Sequence, residues 1–139
     1  MKHVSRLLQR LESVPDAEYN QQDIHDYIQT LRSDDTREQF NAIHTLIHIG
    51  EPAVMPLIEA LCDDQGQAWR LVSVTLIKMG DVAVPHLMTA LDHSNESVRL
   101  LSAAILQKLG KPAQGEPGWN RVRREYVKLV QLQRTMAQN

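Results

Sequence analysis

The sequence predicts an all-α fold: an α-α superhelix, or short α-solenoid, of about four helix pairs. Three observations carry that expectation. First, a 30-residue period runs through the chain, shared by Gly50, Gly80 and Gly110, by Leu31, Leu61 and Leu91, and by Leu46, Leu76 and Leu106. Second, the apolar residues within a period fall at helical spacing, as in Val54, Leu57, Ile58 and Leu61 at i, i+3, i+4 and i+7. Third, no stretch alternates apolar and polar residues between turn signals, so no strand is expected. A two-helix unit cannot bury its apolar stripe alone. Stacked units share one continuous core, closed by atypical ends.

In chain order, a first helix is expected over 2–12, followed by a loop at 13–20 that contains Pro15. The next helix covers 21–31. Its Ile24, Tyr27, Ile28 and Leu31 stand one period before Val54, Leu57, Ile58 and Leu61, and two before Val84, Leu87, Met88 and Leu91. Asn20 occupies the glycine slot, and asparagine is the next best residue for a left-handed cap. Helices at 36–49, 66–79 and 95–109 end in leucine-rich turns before Gly50, Gly80 and Gly110, where glycine adopts the left-handed cap conformation without steric cost. Helices at 52–61 and 82–91 complete the pairs. Pro52 and Pro112, two residues after their glycines, suit the first turn of a new helix, where proline's missing N–H would be unpaired in any case. Pro56 and Pro85, in the first turn or just inside it, bend a helix or shift its start. A longer break at 111–118, with Pro112, Gly115, Pro117 and Gly118, precedes a last helix at 119–136. The chain is therefore read as one domain over 1–139: a capping pair at 1–31, central repeats at 32–110, and a loop with a capping helix at 111–139.

Composition narrows the function classes. A chain of 139 residues can bury a core without staples. Its 42% hydrophobic and 23% charged residues are ordinary for a globular protein. Lys and Arg number 15 against 17 Asp and Glu, net −2, which disfavours nucleic-acid binding. The single cysteine, Cys62, excludes an internal disulfide and a cysteine-rich zinc site, and fits a reducing, cytoplasmic setting. The longest stretch free of Asp, Glu, Lys and Arg, at 39–50, has 12 residues, short of the ~20 a membrane helix requires. Charges also interrupt the first ten residues, so no secretory leader is expected.

The repeats carry a family resemblance. One unit reads Gly50-Glu-Pro-Ala-Val54, Leu57-Ile-Glu-Ala-Leu61, Asp64 and Trp69-Arg70. The next reads Gly80-Asp-Val-Ala-Val84, Leu87-Met-Thr-Ala-Leu91, Asp92 and Val98-Arg99. Over residues 20–113 this pattern resembles HEAT-like repeats, in particular the short variety of phycobilisome lyases and related bacterial proteins. Two departures stand out. The first unit has Glu38-Gln39 where Val-Arg would stand, and Arg70 precedes its glycine by ten residues while Arg99 precedes its own by eleven. The second departure predicts a helix that is one residue shorter or bulged.

The resemblance implies that the second helix of each pair lines a concave face. The positions left free by the core are then Gln22, His25, Asp26 and Gln29; Met55, Pro56 and Glu59; and Pro85, His86 and Thr89. This ridge is the expected partner-binding surface. In the last helix, Trp119, Val122, Tyr126, Val127, Val130 and Leu132 alternate with Arg121, Arg123, Arg124 and Lys128. The set reads either as a cap on the last repeat or, through Trp119 and Arg123, as an aromatic-plus-arginine anchor for a partner protein. Charge is uneven. Residues 16–60 hold nine acids against Arg32 and Arg37, net −7, and residues 111–139 hold six bases against Glu116 and Glu125, net +4. The acidic half favours a basic partner surface, or the basic end of a second copy in a homo-oligomer.

No catalytic constellation emerges. His44 and His48 lie at i, i+4, a spacing that can hold zinc, but no Glu follows His44. His48 also shares its slot with Lys78 and Lys108, which face solvent in this reading. His25 and Asp26 are adjacent and do not face each other on a helix; His3, His86 and His93 stand isolated. No His-Glu dipeptide occurs of the kind that iron-binding HEAT-type hydroxylases use. Cys62, followed by Asp63 and Asp64, is expected to be a buried or half-buried structural thiol, since acidic neighbours are poor company for a nucleophilic thiolate. The function expected is a non-catalytic protein–protein interaction module: an adaptor, assembly factor or accessory subunit without cofactor or metal. The resemblance implies an alternative, a chromophore-handling subunit of the bilin lyase type. It would set Asp26, Glu59 or His86 near pyrrole nitrogens and Arg70 or Arg99 near propionates.

Overall fold

A computed structural model describes residues 20–62 and 68–138, and among these it is all-helical, with seven α-helices and no strand. The helices are α1 (Gln21–Thr30), α2 (Thr36–Ile49), α3 (Glu51–Glu59), α4 (Ala68–Met79), α5 (Val84–Ala90), α6 (Glu96–Leu109) and α7 (Trp119–Gln138). Single 3-10 turns follow α3 at Ala60–Cys62 and α4 at Gly80–Val82. The helix expected over 2–12 and most of its following loop lie outside the described residues, as do the first two positions of the helix expected from 66.

Side-chain caps start α1, α2 and α6. The Asn20 side chain accepts from the Asp23 N–H at 2.9 Å, and the Asp23 carboxylate accepts from the Asn20 N–H, a reciprocal capping box. Asn20 has φ −81° and extended backbone, so it opens α1 and is not the left-handed cap expected from its place in the glycine slot. Asp35 caps α2 by accepting from the N–H groups of Arg37 and Glu38, and Asn95 caps α6 by accepting from Val98. These two caps stand two periods apart.

Gly50, Gly80 and Gly110 all have positive φ, between 65° and 78°. Gly110 is a left-handed cap to α6, whereas Gly50 (ψ −137°) closes α2 and opens α3 directly. Pro52 stands in the first turn of α3 as expected, but Pro112 starts no helix; it lies in the connection between α6 and α7 behind a cis peptide bond. Pro56 falls inside α3, where its missing N–H cannot serve the Pro52 carbonyl, and α3 gives way to a 3-10 turn after Glu59. Pro85 sits in the first turn of α5, which begins at Val84, two residues later than expected, because the 3-10 turn intervenes.

The core repeats as the sequence does. Leu31, Leu61 and Leu91 are buried where α1, α3 and α5 end, and Leu46, Leu76 and Leu106 are buried near the ends of α2, α4 and α6. The helices contact one another in two rows: α2 packs on α4 and α4 on α6, while α1 packs on α3 and α3 on α5. The rows join through α1 with α2 and α5 with α6.

The burial pattern corrects the register read from the Trp-Arg and Val-Arg motifs. Ala68 and Val98, Val72 and Ser102, and Leu76 and Leu106 are buried in pairs 30 residues apart. Arg70 is therefore not the counterpart of Arg99, and no bulge separates α4 from α6 over this span. The counterparts are Gln39, Trp69 and Arg99. The Gln39 amide donates to the carbonyls of Leu31 and Ser33, and the Arg99 guanidinium donates to those of His93 (2.7 Å) and Ser94 (3.0 Å). Gln39 thus ties its inter-helix connection as Arg99 ties its own, although the motif treats it as a departure.

Helix α7 packs along α6. Val122 is buried and Tyr126 half-buried against the core, but residues 131–138 are all exposed, with Leu132 at 43% and Met136 at 76%. Only the first half of this helix covers the last repeat. Its entry is fixed at Gly118 (φ +91°), where an added Cβ would lie 2.5 Å from the Met88 Cε of α5.

Candidate interaction surfaces

The ridge expected from the sequence is on the surface. Ile24 and Ile28 carry the buried side of α1, which leaves Gln22, His25, Asp26 and Gln29 exposed on the other side. The Gln22 amide donates to the Asp26 carboxylate at 3.0 Å, and the Gln29 amide lies 3.5 Å from the His25 imidazole, so this face is preordered by i, i+4 contacts. On α3, Met55 (41% exposed) and Glu59 face solvent with Pro56 half-buried between them. On α5, Pro85 and Thr89 are exposed and His86 is half-buried, and the Thr89 hydroxyl donates to the Pro85 carbonyl.

Two histidines read as isolated have partners in the structure. His86 Nε2 lies 3.4 Å from Glu51 Oε1 and bridges α5 to α3. His93 Nδ1 accepts from the Asn95 N–H at 3.0 Å, and its Nε2 therefore carries the proton toward Glu59, 3.1 Å from each carboxylate oxygen. These links cross about 34 residues of chain and could not be read from spacing along one helix.

Trp119 and Arg123 lie one turn apart on α7, with the guanidinium 5.3 Å from the indole centroid, a cation–π contact. Arg121 pairs with Asp92, just beyond α5, and Lys128 pairs with Glu125 at 3.0 Å. Asn120, Arg123, Arg124, Val127, Lys128 and Gln131 form a shallow basic face of α7. At the other end of the chain, exposed Asp26, Asp34, Asp35, Glu38 and Glu51 give α1–α3 their acidic surface.

Sequence reasoning missed a groove of about 500 Å³ between α4, α6 and α7. Trp69, Ser73 and Ile77 line it from α4, Leu101, Ile105 and Lys108 from α6, and Tyr126, Leu129 and Gln133 from α7. The groove exists because α7 lies along α6 and not across the end of both rows. Its one signal in the sequence was Trp69, a large aromatic in the slot where the neighbouring units carry Gln39 and Arg99.

Cys62 is exposed, contrary to the expected structural thiol: Leu61 takes the inward position of the 3-10 turn and the following residue points out. His44 and His48 are both exposed on α2, and among the described residues no group of three or more His, Cys, Asp and Glu is gathered as metal ligands. No single helix among the described residues is long and apolar enough to cross a membrane. No family model, curated protein or solved structure matches the chain.

Proposed function

We propose that the chain is a short α-solenoid of HEAT-like helix pairs, and that it acts as a non-catalytic interaction module binding a partner protein through the α1–α3–α5 ridge. The observation that carries this reading is the recurrence of one unit at a 30-residue period in core, caps and connections alike. Leu31, Leu61 and Leu91 share one buried slot, Asp35 and Asn95 one cap, Gln39 and Arg99 one connection tie. Stacked units of this kind present the same helix face side by side, which suits a continuous docking strip. The partner most complementary to the acidic α1–α3 end is a basic protein surface.

The bilin-handling alternative loses ground on the groups it needs. Arg99 is committed to the His93 and Ser94 carbonyls, Glu59 to His93 and His86 to Glu51. A chromophore's propionates and pyrrole nitrogens would have to displace these contacts.

The test is affinity capture from host lysate with the intact chain and with a variant carrying His25→Ala, Gln29→Ala, Met55→Ala and Thr89→Ala together. All four side chains are exposed, so thermal stability should be unchanged while retention of a stoichiometric partner falls at least about tenfold. Equal retention by both proteins removes the ridge from the reading. A coloured eluate that follows the protein through gel filtration replaces it with chromophore handling.

A further inference from the structure

The groove between α4, α6 and α7 lies on the helix row that the ridge does not use. Along α4 its wall runs from Trp69 through Ser73 to Ile77, eight residues or roughly 12 Å of helix. At about 500 Å³ it falls within the ~300–1,000 Å³ of small-molecule sites.

Two features specify the occupant. The Ser73 hydroxyl, on the α4 wall, is buried and has no hydrogen-bond partner. The hydroxyls of Thr30, Thr45, Thr75, Thr89 and Thr135 all donate to the carbonyl four residues back, and Ser102, outside the groove lining, shares the unpaired state of Ser73. A buried hydroxyl without a partner marks a place where something else can hydrogen-bond. The second feature is charge. Lys108, Gln107 and Gln133 are the exposed polar residues of its lining, and no carboxylate is among the lining residues. Between these polar points the surface is hydrocarbon and aromatic: Trp69, Ile77, Leu101, Ile105, Tyr126 and Leu129.

We propose that this groove binds an apolar monocarboxylate, a fatty or aryl acid. Its hydrocarbon lies between Trp69, Ile105 and Tyr126, and its carboxylate pairs with Lys108. The Gln107 and Gln133 amides donate to the remaining carboxylate lone pairs, and the Ser73 hydroxyl gains a polar neighbour when the ligand is aryl with a ring substituent or when a water enters with it. The site is independent of the ridge, so a partner bound there leaves it open.

The experiment uses the full chain with Trp119→Phe, which leaves Trp69 as the single tryptophan reporter. Decanoate and 2-naphthoate are titrated against Trp69 emission, with decanol as the uncharged control and calorimetry on the unsubstituted chain as the check that Trp119→Phe has not altered the fold. The expected result is one saturable site for both acids, about tenfold weaker for decanol and for Lys108→Glu. Ala104→Phe, which adds a ring to the lining, should abolish it. Lys108 is exposed, so Lys108→Glu folds normally and keeps the test readable even where Ala104→Phe does not. Absence of a saturable response overturns the proposal. So does equal affinity for decanol and decanoate, or binding by Lys108→Glu equal to the parent. A peptide that binds the groove in place of either acid also overturns it.

Discussion

At the scale of single residues, the same slot is filled by different chemistry, and this gives two tests. Slot 42/72/102 holds Ala42, Val72 and Ser102, all buried, yet the Ser102 hydroxyl has no partner. A buried unpaired hydroxyl costs roughly 1–3 kcal/mol, and Ala42 shows that alanine fits the slot. Ser102→Ala should therefore raise stability by about 1 kcal/mol in urea unfolding; destabilisation would mean an unseen partner for the hydroxyl. Slot 39/69/99 holds Gln39, Trp69 and Arg99. Arg99→Ala removes two donors from the His93 and Ser94 carbonyls and should cost about 1–2 kcal/mol. Arg99→Gln should recover most of that loss, because Gln39 already makes the same kind of tie. Equal losses for the two variants would show that the charge of Arg99, and not its reach to the carbonyls, is what matters.

At the scale of elements, helix length and docking follow from a few punctuating residues. α3 and α5 are short because Pro56 removes a donor inside one and a 3-10 turn delays the start of the other. α7 is long because nothing in its sequence stops it, and it is docked only at its first half. Gly118 sets that docking: its φ of +91° is strained for any L side chain, and the Met88 methyl occupies the space a Cβ would take. Gly118→Ala should lower stability by about 1–3 kcal/mol, measured by thermal melting. Adding Met88→Ala should relieve the contact but not the backbone strain, so only part of the loss returns. Complete recovery would place the whole cost in the Met88 contact.

At the scale of the whole molecule, the two rows of helices share one core, so its slots are energetically alike. Leu46, Leu76 and Leu106 are all fully buried at the same period. Each Leu→Ala variant should lose about 2–5 kcal/mol in denaturant titration, with a single transition. A second transition in any of them would show that the rows unfold as separate units. The charge of the molecule is also divided along the chain, with acids on α1–α3 and bases on α7. Encounter with a basic partner at the acidic end should therefore slow as ionic strength rises, which stopped-flow association would measure.

Much of the fold was legible in the sequence because its determinants are local and repeated. Helical spacing, the glycine at each junction and the leucine in each buried slot act over a few residues, and repetition made them visible three times. The exposed ridge side chains were legible for the same reason, since they are the positions left after the core is assigned. Tertiary structure alone decided what depends on residues far apart. It joined His86 to Glu51 and His93 to Glu59, turned Asn20 from a helix end to a helix start, and moved the counterpart of Arg99 in the neighbouring unit from Arg70 to Trp69. It also laid α7 along α6 and so opened the groove at Trp69. Periodicity states which face of a helix is apolar, but where a neighbouring helix lies across that face depends on packing that one-dimensional spacing does not contain.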